Sequence, residues 1–446
     1  MSHYKPYPSS KESGVEWIGE VPEHWEILRI KRGVSLRNER RCDSPEGWPY
    51  VGLEDVEPES GRYAPTPGAS RQSQDSMVGA FRAGDVLYGK LRPYLRKSII
   101  AEEDGVCSTE FLVLSAEHAK ASWVHRWLLT PGVTQQIEAG CEGAKMPRAD
   151  WEHVGSIPMP LPPAAEQTVI AAAIDRETSR IDALIAKKTR FIELLQEKRQ
   201  ALITHAVTKG LDPNVKMKDS GVEWIGEAPE HWDIKRLKWI LARRRQKNNP
   251  IQTKNILSLT IAQGLVPLAE KEGVGGNLPK EDLSAYDLAH PGDLVINSMN
   301  VIVGAVGLSR YFGAISPVYY AMYPISDGAS IFYHHNLFLS TQFQESLAVL
   351  GDGILIKKSE TSGKLNTIRL KISFETLGDQ AIPVPPSYEQ IAIADALNQE
   401  TARIDALIAK VQQSIDLLKE RRSAFITAAV TGHIDLRRSE STMEAA

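Results

Sequence analysis

Two stretches of the chain repeat apolar residues at every seventh position. In the first, Ile174, Ile181, Lys188, Leu195 and Leu202 recur, with Leu184 and Phe191 at a second heptad position and Ile185 and Ile192 beside them. In the second, Leu397, Ile404, Val411, Leu418 and Phe425 recur, with Leu407, Ile408 and Ile415 alongside. A narrow apolar seam flanked by Arg, Lys and Glu is the pattern of a paired helix. Pro162-Pro163 and Pro385-Pro386 precede the two stretches, and Gly210 and Gly432 follow them. Proline is tolerated at a helix entry and glycine ends a helix, so two long helices are predicted, each roughly 65 Å at 1.5 Å per residue. Ser387 with Gln390 fits a capping box, whereas Ala164 leaves the first helix without one. Neither seam can be buried alone, so the two helices are expected to pack antiparallel on each other.

The remaining pattern is mixed. Short β-rich runs (DVLYGKL, CSTEFLVLS, DLVINSM, PVYYAMYPI) alternate with helical ones (ASWVHRWLLT, IFYHHNLFLSTQF), which reads as α+β. The chain also repeats itself. KESGVEWIGEVPEHWEILRIK (11–31) returns as KDSGVEWIGEAPEHWDIKRLK (218–238), and ETSRIDALIAK (177–187) as ETARIDALIAK (400–410). IPMPLPPAAEQ (157–167) corresponds to IPVPPSYEQ (382–390). The plan is signature, variable block, proline-rich hinge, helix, then all four again. The variable blocks share few landmarks, chiefly Gly84-Asp85 with Gly292-Asp293. The expected divisions are a first domain over 1–156, hinge and helix over 157–210, a second domain over 211–381, hinge and helix over 382–434, and a disordered tail over 435–446.

Composition narrows the function. The 446 residues carry a net charge of −4, which weighs against indiscriminate coating of nucleic acid but not against a local basic reader. Three scattered cysteines, Cys42, Cys107 and Cys141, give neither a disulfide framework nor a metal spacing. No signal-like or membrane-spanning run is read, so a cytoplasmic location without membrane contact is expected. GDVLYGKL (84–91) is close to a phosphate-binding loop, but Leu91 stands where Ser or Thr must hold Mg²⁺. Glu54, Asp55 and Glu57 read as a solvated loop, His24 and His231 as structural, and His334-His335 lacks a third ligand. No catalytic or metal constellation emerges.

Basic clusters stand at corresponding places in both blocks. The first carries Arg37, Arg40 and Arg41, then Lys90, Arg92, Tyr94, Arg96 and Lys97, then Lys145 and Arg148. The second carries Arg243, Arg244, Arg245 and Lys247, then Asn297 and Asn300, then Lys357, Lys358 and Lys364. Arg and Lys neutralise phosphates, Arg can also grip guanine, and Asn can grip adenine, so these are the candidate DNA-binding residues.

In this organisation the chain resembles the specificity (S) subunits of type I restriction–modification systems. The paired SGVEWIGE-PEHW signatures, GDVLYGKLRPYLRK, the PLPPAAEQ and PVPPSYEQ hinges and the two RIDALIAK helices carry the resemblance. It implies two target-recognition domains, each reading half of a bipartite double-stranded DNA site, and an antiparallel coiled-coil spacer with a pseudo-two-fold relation. It further implies two modification (M) subunits, restriction (R) subunits and no chemistry in this chain. S-adenosylmethionine belongs to the M subunit and ATP with Mg to the R subunit. The second block departs in having NSMNVIVGAV where the first has LRPYLRK. Two alternatives remain at this stage: a stand-alone DNA-binding regulator on the same frame, and a scaffold that only binds partner helices.

Overall fold

A computed structural model describes residues 4–42, 45–65, 77–141, 143, 146–272, 281–354 and 369–437. The chain forms two compact units, residues 1–189 with 413–446, and residues 190–412. Four helices matter below: α1 (Ala121–Leu128), α2 (Ala164–Lys209), α3 (Ile331–Leu339) and α4 (Ser387–Val430). Each long helix therefore contributes part of its length to each unit, where the sequence divisions set hinge and helix apart from the domains.

The first unit opens with a hairpin of β1 (Ser10–Glu12) and β2 (Glu20–Pro22). β3 (Glu26–Arg29) then pairs antiparallel with the hinge strand β8 (Pro158–Leu161). Its central sheet has the order β4-β7-β5-β6, built from β4 (Val34–Leu36), β5 (Val86–Gly89), β6 (Ser98–Ile100) and β7 (Phe111–Ala116). A further four-stranded sheet contains Arg40–Arg41 and Val78–Phe81. Trp25, Trp123 and Trp127 fill the core with Ile170 and Ile174 of α2 and Ile426 and Val430 of α4.

The second unit follows the same plan. β9 (Met217–Asp219) pairs with β10 (Glu227–Pro229), and β11 (Asp233–Arg236) with the hinge strand β16 (Ala381–Val384). The sheet order β12-β15-β13-β14 matches the first, with β12 (Leu241–Arg243), β13 (Leu294–Asn297), β14 (Val306–Leu308) and β15 (Tyr319–Pro324). Trp232, Tyr333, Phe338 and Phe343 fill its core with Ile203 and Val207 of α2 and Ile393 and Leu397 of α4.

The repeated residues explain themselves as joints between signature, hinge and helix. The Trp25 indole and His24 ring hydrogen-bond Glu166, the third residue of α2, at 3.2 and 2.7 Å. Trp232 and His231 do the same to Glu389, the third residue of α4, at 2.8 and 2.6 Å. The next residue closes the hinge: Gln167 Nε2 donates to Pro162 O and its Oε1 accepts from Lys120 N, while Gln390 donates to Pro385 O and accepts from Ser330 N. One amide thus ties the hinge to the start of α1 or α3. An aromatic on each of those helices adds a second tie: Trp123 Nε1 donates to Pro160 O at 2.8 Å, and the Tyr333 hydroxyl to Pro383 O at 3.1 Å. Gly432, at φ +77°, ends α4 where any Cβ would lie 2.2 Å from Pro22 Cδ, so only glycine fits.

The seam is buried at Ile174, Ile181, Leu195, Leu397, Ile404 and Val411, and half-buried at Leu202 and Leu418. Leu184 and Leu407, expected in it, are instead 43% and 40% exposed. A helix can turn only one flank inward. Ile185, Ile192, Ile408 and Ile415, four residues after main positions, are half-buried or buried, whereas Leu184, Phe191 and Leu407, three after, are exposed. Thr178 and Thr401 lie on the inward row and return their hydroxyls to Ile174 O and Leu397 O, which lets them sit there. Arg422 pairs with Asp182 at 2.9 Å in the first unit, and Arg199 with Asp405 at 3.0 Å in the second.

The expected disordered tail begins too early. Asp435 N donates to Lys5 O, Leu436 is buried, and the Arg437 guanidinium lies 4.7 Å from the Tyr7 ring centroid. Residues 438–446 lie outside the described residues.

α1 and α3 also bury histidines. Burial, with the charge of Arg126 next, pushes His125 down to about 4; burial alone does so for His334, and burial with Arg199 for His335. All three are neutral in the folded chain at pH 7. Their folded values lie below the unfolded value of about 6.5, so their contribution is present above it and lost as pH falls toward 4. The melting temperature should therefore fall between about pH 6.5 and 4, with up to about three protons taken up on unfolding. A flat thermal-melt profile across that window would show that these rings are solvated.

Candidate nucleic-acid interface

The centre of each unit's sheet is aimed by a buried ion pair. Arg37, just after β4, grips Asp85, just before β5, through Nε at 2.7 Å and Nη2 at 3.2 Å. Asp85 also accepts from Arg82 N at 2.8 Å. Arg244, just after β12, grips Asp293 at 2.7 and 2.8 Å, and Asp293 accepts from His290 N. The hydrogen bonds to Asp85 and Asp293 hold both guanidinium groups above their ordinary range. Two expected DNA contacts, Arg37 and Arg244, are thus committed to the Gly-Asp turns. Their similar sequence separations, 48 and 49 residues, were the available signal.

From that turn β5 runs into the LRPYLRK segment, where a 3₁₀ turn spans Pro93–Leu95. No helix follows Lys90, so the near phosphate-binding loop does not form. Arg92 and Arg96 flank the turn in left-handed conformations, φ 53° and 48°, which costs about 1 kcal/mol each for a residue with a Cβ. The cost is offset by anchors on one side. Arg96 Nη2 bonds Glu59, its Nη1 reaches Leu129 O, and Lys97 Nζ donates to Leu53 O at 2.6 Å. Burial lowers the Lys97 ammonium from its ordinary range. On the other side the chain passes residues 146–149: Arg92 N donates to Pro147 O, and Ala149 N to Lys90 O. Two basic clusters distant in sequence therefore meet. Arg148 is spent on Glu110 in a two-pronged bond, leaving Arg92 and Tyr94 exposed and Lys90 half-exposed, with no side-chain ion pair or hydrogen bond among the described residues.

Elsewhere in the first block, Arg40 is exposed and without an ion pair among the described residues. Arg41 lies 3.7 Å from Glu39 and 5.8 Å from the Trp48 centroid. In the second block the sequence overstates the free charge. Buried Asp287 pairs with Lys247 at 2.7 Å and Arg243 at 3.6 Å, and Arg243 lies 4.3 Å from the Tyr320 ring centroid. Arg245 remains exposed, 3.9 Å from Glu375. Asn297 accepts from Met299 N, whereas Asn300 is exposed. Lys145, Lys357, Lys358 and Lys364 lie outside the described residues.

NSMNVIVGAV occupies the place of LRPYLRK, and the backbone hydrogen bonds of the two segments correspond. Hydrogen bonds set the register: Gly89 N to Lys97 O matches Asn297 N to Ala305 O, and Ala149 N to Lys90 O matches Ile372 N to Ser298 O. A 3₁₀ turn, Val301–Val303, again follows the strand, and Gly304 at φ 82° stands where Arg96 stands. Among the described residues no group of three or more His, Cys, Asp or Glu could hold a metal ion, and no helix is long and apolar enough to cross a membrane.

No family model matches the chain. It is 22% identical to the type I restriction enzyme EcoDI specificity subunit of Escherichia coli, over 45% of this chain and 46% of that one. It is 24% identical to the MjaVIII specificity subunit of Methanocaldococcus jannaschii over 68% of each, and 22% identical to that organism's putative MjaX specificity subunit over 94% and 96%. The first of these matches spans about half the relative's length. A chain from a type I R-M system, solved in work on complex assembly and conformational transition, superposes with a TM-score of 0.67 at 18% identity, covering 93% of this chain and 99% of that one. The chain resembles type I restriction specificity subunits. The HsdS subunit from Thermoanaerobacter tengcongensis agrees in fold, with a TM-score of 0.50 at 20% identity over 93% and 98%. The likeness to specificity subunits of this type thus includes both units.

Proposed function

We propose that this chain is the DNA-specificity subunit of a type I restriction–modification complex. Each unit is a target-recognition domain that reads one half of a bipartite asymmetric site in double-stranded DNA. α2 and α4 form an antiparallel coiled coil that spaces the two readings and relates the repeats by a pseudo-two-fold. Two M subunits, holding S-adenosylmethionine, methylate adenine, and R subunits, holding ATP and Mg, cleave; this chain supplies recognition in the cytoplasm. The observation that carries the reading is the same exposed turn mounted on the same sheet in two units whose surface residues differ.

The residues expected at the DNA are now sorted by what they already touch. Arg40, Lys90, Arg92 and Tyr94 serve the first half-site, and Arg245 and Asn300 the second. Arg37, Arg244, Arg96 and Lys97 position the backbone from within, and Arg148, though exposed, is held by Glu110. Arg40→Ala should lower affinity for all sequences and reduce the slope of log K against log salt by about one. Titrating the chain with its M subunit onto DNA at several salt concentrations tests this, and an unchanged slope removes Arg40 from the interface. Co-purification with the M subunit and methyl transfer to a gapped site test the assembly itself. Sequence-specific binding without any M subunit would instead favour a free-standing regulator.

A further inference from the structure

We infer that the residue preceding the 3₁₀ turn determines base specificity in both units, Arg92 gripping guanine in one half-site and Asn300 gripping adenine in the other. The inference rests on the DNA-reading function proposed above and adds the base class that each unit takes.

The two positions are equivalent by hydrogen-bond register, and both lie equally far beyond the matched Gly84-Asp85 and Gly292-Asp293 pairs, although the side chains differ. Counting from the matched strand ends, Gly89 with Asn297, places Lys90 on Ser298, Leu91 on Met299 and Arg92 on Asn300. Arg92 and Asn300 are the residues that cap the two 3₁₀ turns, and Arg96 and Gly304 close them in the left-handed region. Apart from Lys90 and Tyr94, which flank Arg92 in the first, the polar side chains beside them in the two turns are occupied. Arg96 and Lys97 bond inward in the first. Ser298 donates to Val318 O, and Asn297 accepts from Met299 N, in the second. Arg92 and Asn300 are exposed and make no side-chain hydrogen bond among the described residues.

Their surroundings differ in the same sense as their chemistry. The first turn presents Tyr94, 46% exposed, beside Lys90; the second presents Val303, 39% exposed, and no cation. Arg presents paired donors that match guanine O6 and N7, whereas the Asn amide supplies the donor and acceptor that match adenine N7 and N6, and an aliphatic neighbour suits the thymine methyl. A good two-pronged pair is worth about 1–3 kcal/mol of discrimination, or roughly 5- to 150-fold.

The test is methylation of a randomised DNA pool by the full chain with its M subunit, read as the base frequencies around methylated adenines. Asn300→Ala should relax one A·T position in one half-site by at least about fivefold and leave the other half-site intact; Arg92→Ala should relax one G·C position in the other. Asn300→Arg should shift the relaxed position toward G·C. If the unaltered complex methylates a two-part site and Asn300→Ala leaves every base frequency unchanged, the inference is overturned. It is equally overturned if methylation falls at all sites with no position relaxed while thermal unfolding is unaltered. If the unaltered complex shows no two-part site, the function proposed above fails instead.

Discussion

Asp293→Ala lowers the unfolding free energy by about 3 kcal/mol, and Asp85→Ala lowers it comparably. Each carboxylate is nearly inaccessible, with side-chain exposures of 2% and 4%, and each faces an arginine about a quarter exposed. Removing the carboxylate leaves a partly desolvated guanidinium without its counter-charge and an unpaired backbone N–H in the turn, at Arg82 or His290. Asp379→Ala is the control. It also loses two cations, Arg236 and Lys238, but all three groups are about half exposed, and such pairs contribute about 0–1 kcal/mol. Urea unfolding of the three variants checks the ordering. A loss below about 1 kcal/mol for Asp293→Ala would mean that water replaces the carboxylate at no cost. The variant should also weaken recognition, because the same turn feeds the strand that leads to Asn300.

Trp25→Ala and Trp232→Ala should each cost about 3–5 kcal/mol, the range for emptying a large aromatic from a core. Both indoles are wholly buried. Each also carries the N–H that reaches the helix-entry glutamate, so the substitution removes packing and a hydrogen bond together. Burial opposes the charge on Glu389, but the bonds from Trp232, His231 and Tyr388 outweigh it and hold the carboxyl below its ordinary range. Trp232→Phe keeps a six-membered ring but loses the N–H and the rest of the indole, so it should cost less than Trp232→Ala, about 1–3 kcal/mol. Equilibrium unfolding of the Ala and Phe variants separates the two contributions. Equal losses would show that the six-membered ring which Phe retains contributes no packing.

Much of the frame was legible because its determinants are local or literally repeated. The heptads, the proline entries, Gly210 and Gly432 and the doubled signature all sit in contiguous stretches. The inward flank of each long helix was not legible from Leu184 or Leu407, since positions three and four after a seam residue are both near the stripe. Partner choice in the basic clusters was legible only in outline. Arg244 reads as one of three adjacent arginines, and nothing local says that Asp293 consumes it while Arg245 stays exposed. The correspondence of LRPYLRK with NSMNVIVGAV was legible only in position, from the Gly-Asp pairs ahead of them: the two turns share backbone hydrogen bonds, and backbone bonds leave side-chain identity free. That freedom is what lets one scaffold present different chemistry at an equivalent position in each unit.

The central claim is that two unlike readers are spaced by paired helices. Inserting one heptad into both α2 and α4, then mapping the adenines methylated by the chain with its M subunit, tests it most directly. The account predicts unchanged half-site sequences separated by a gap altered by about three base pairs, from 7 residues at 1.5 Å against 3.4 Å per base pair. Full methylation at the original gap would contradict it.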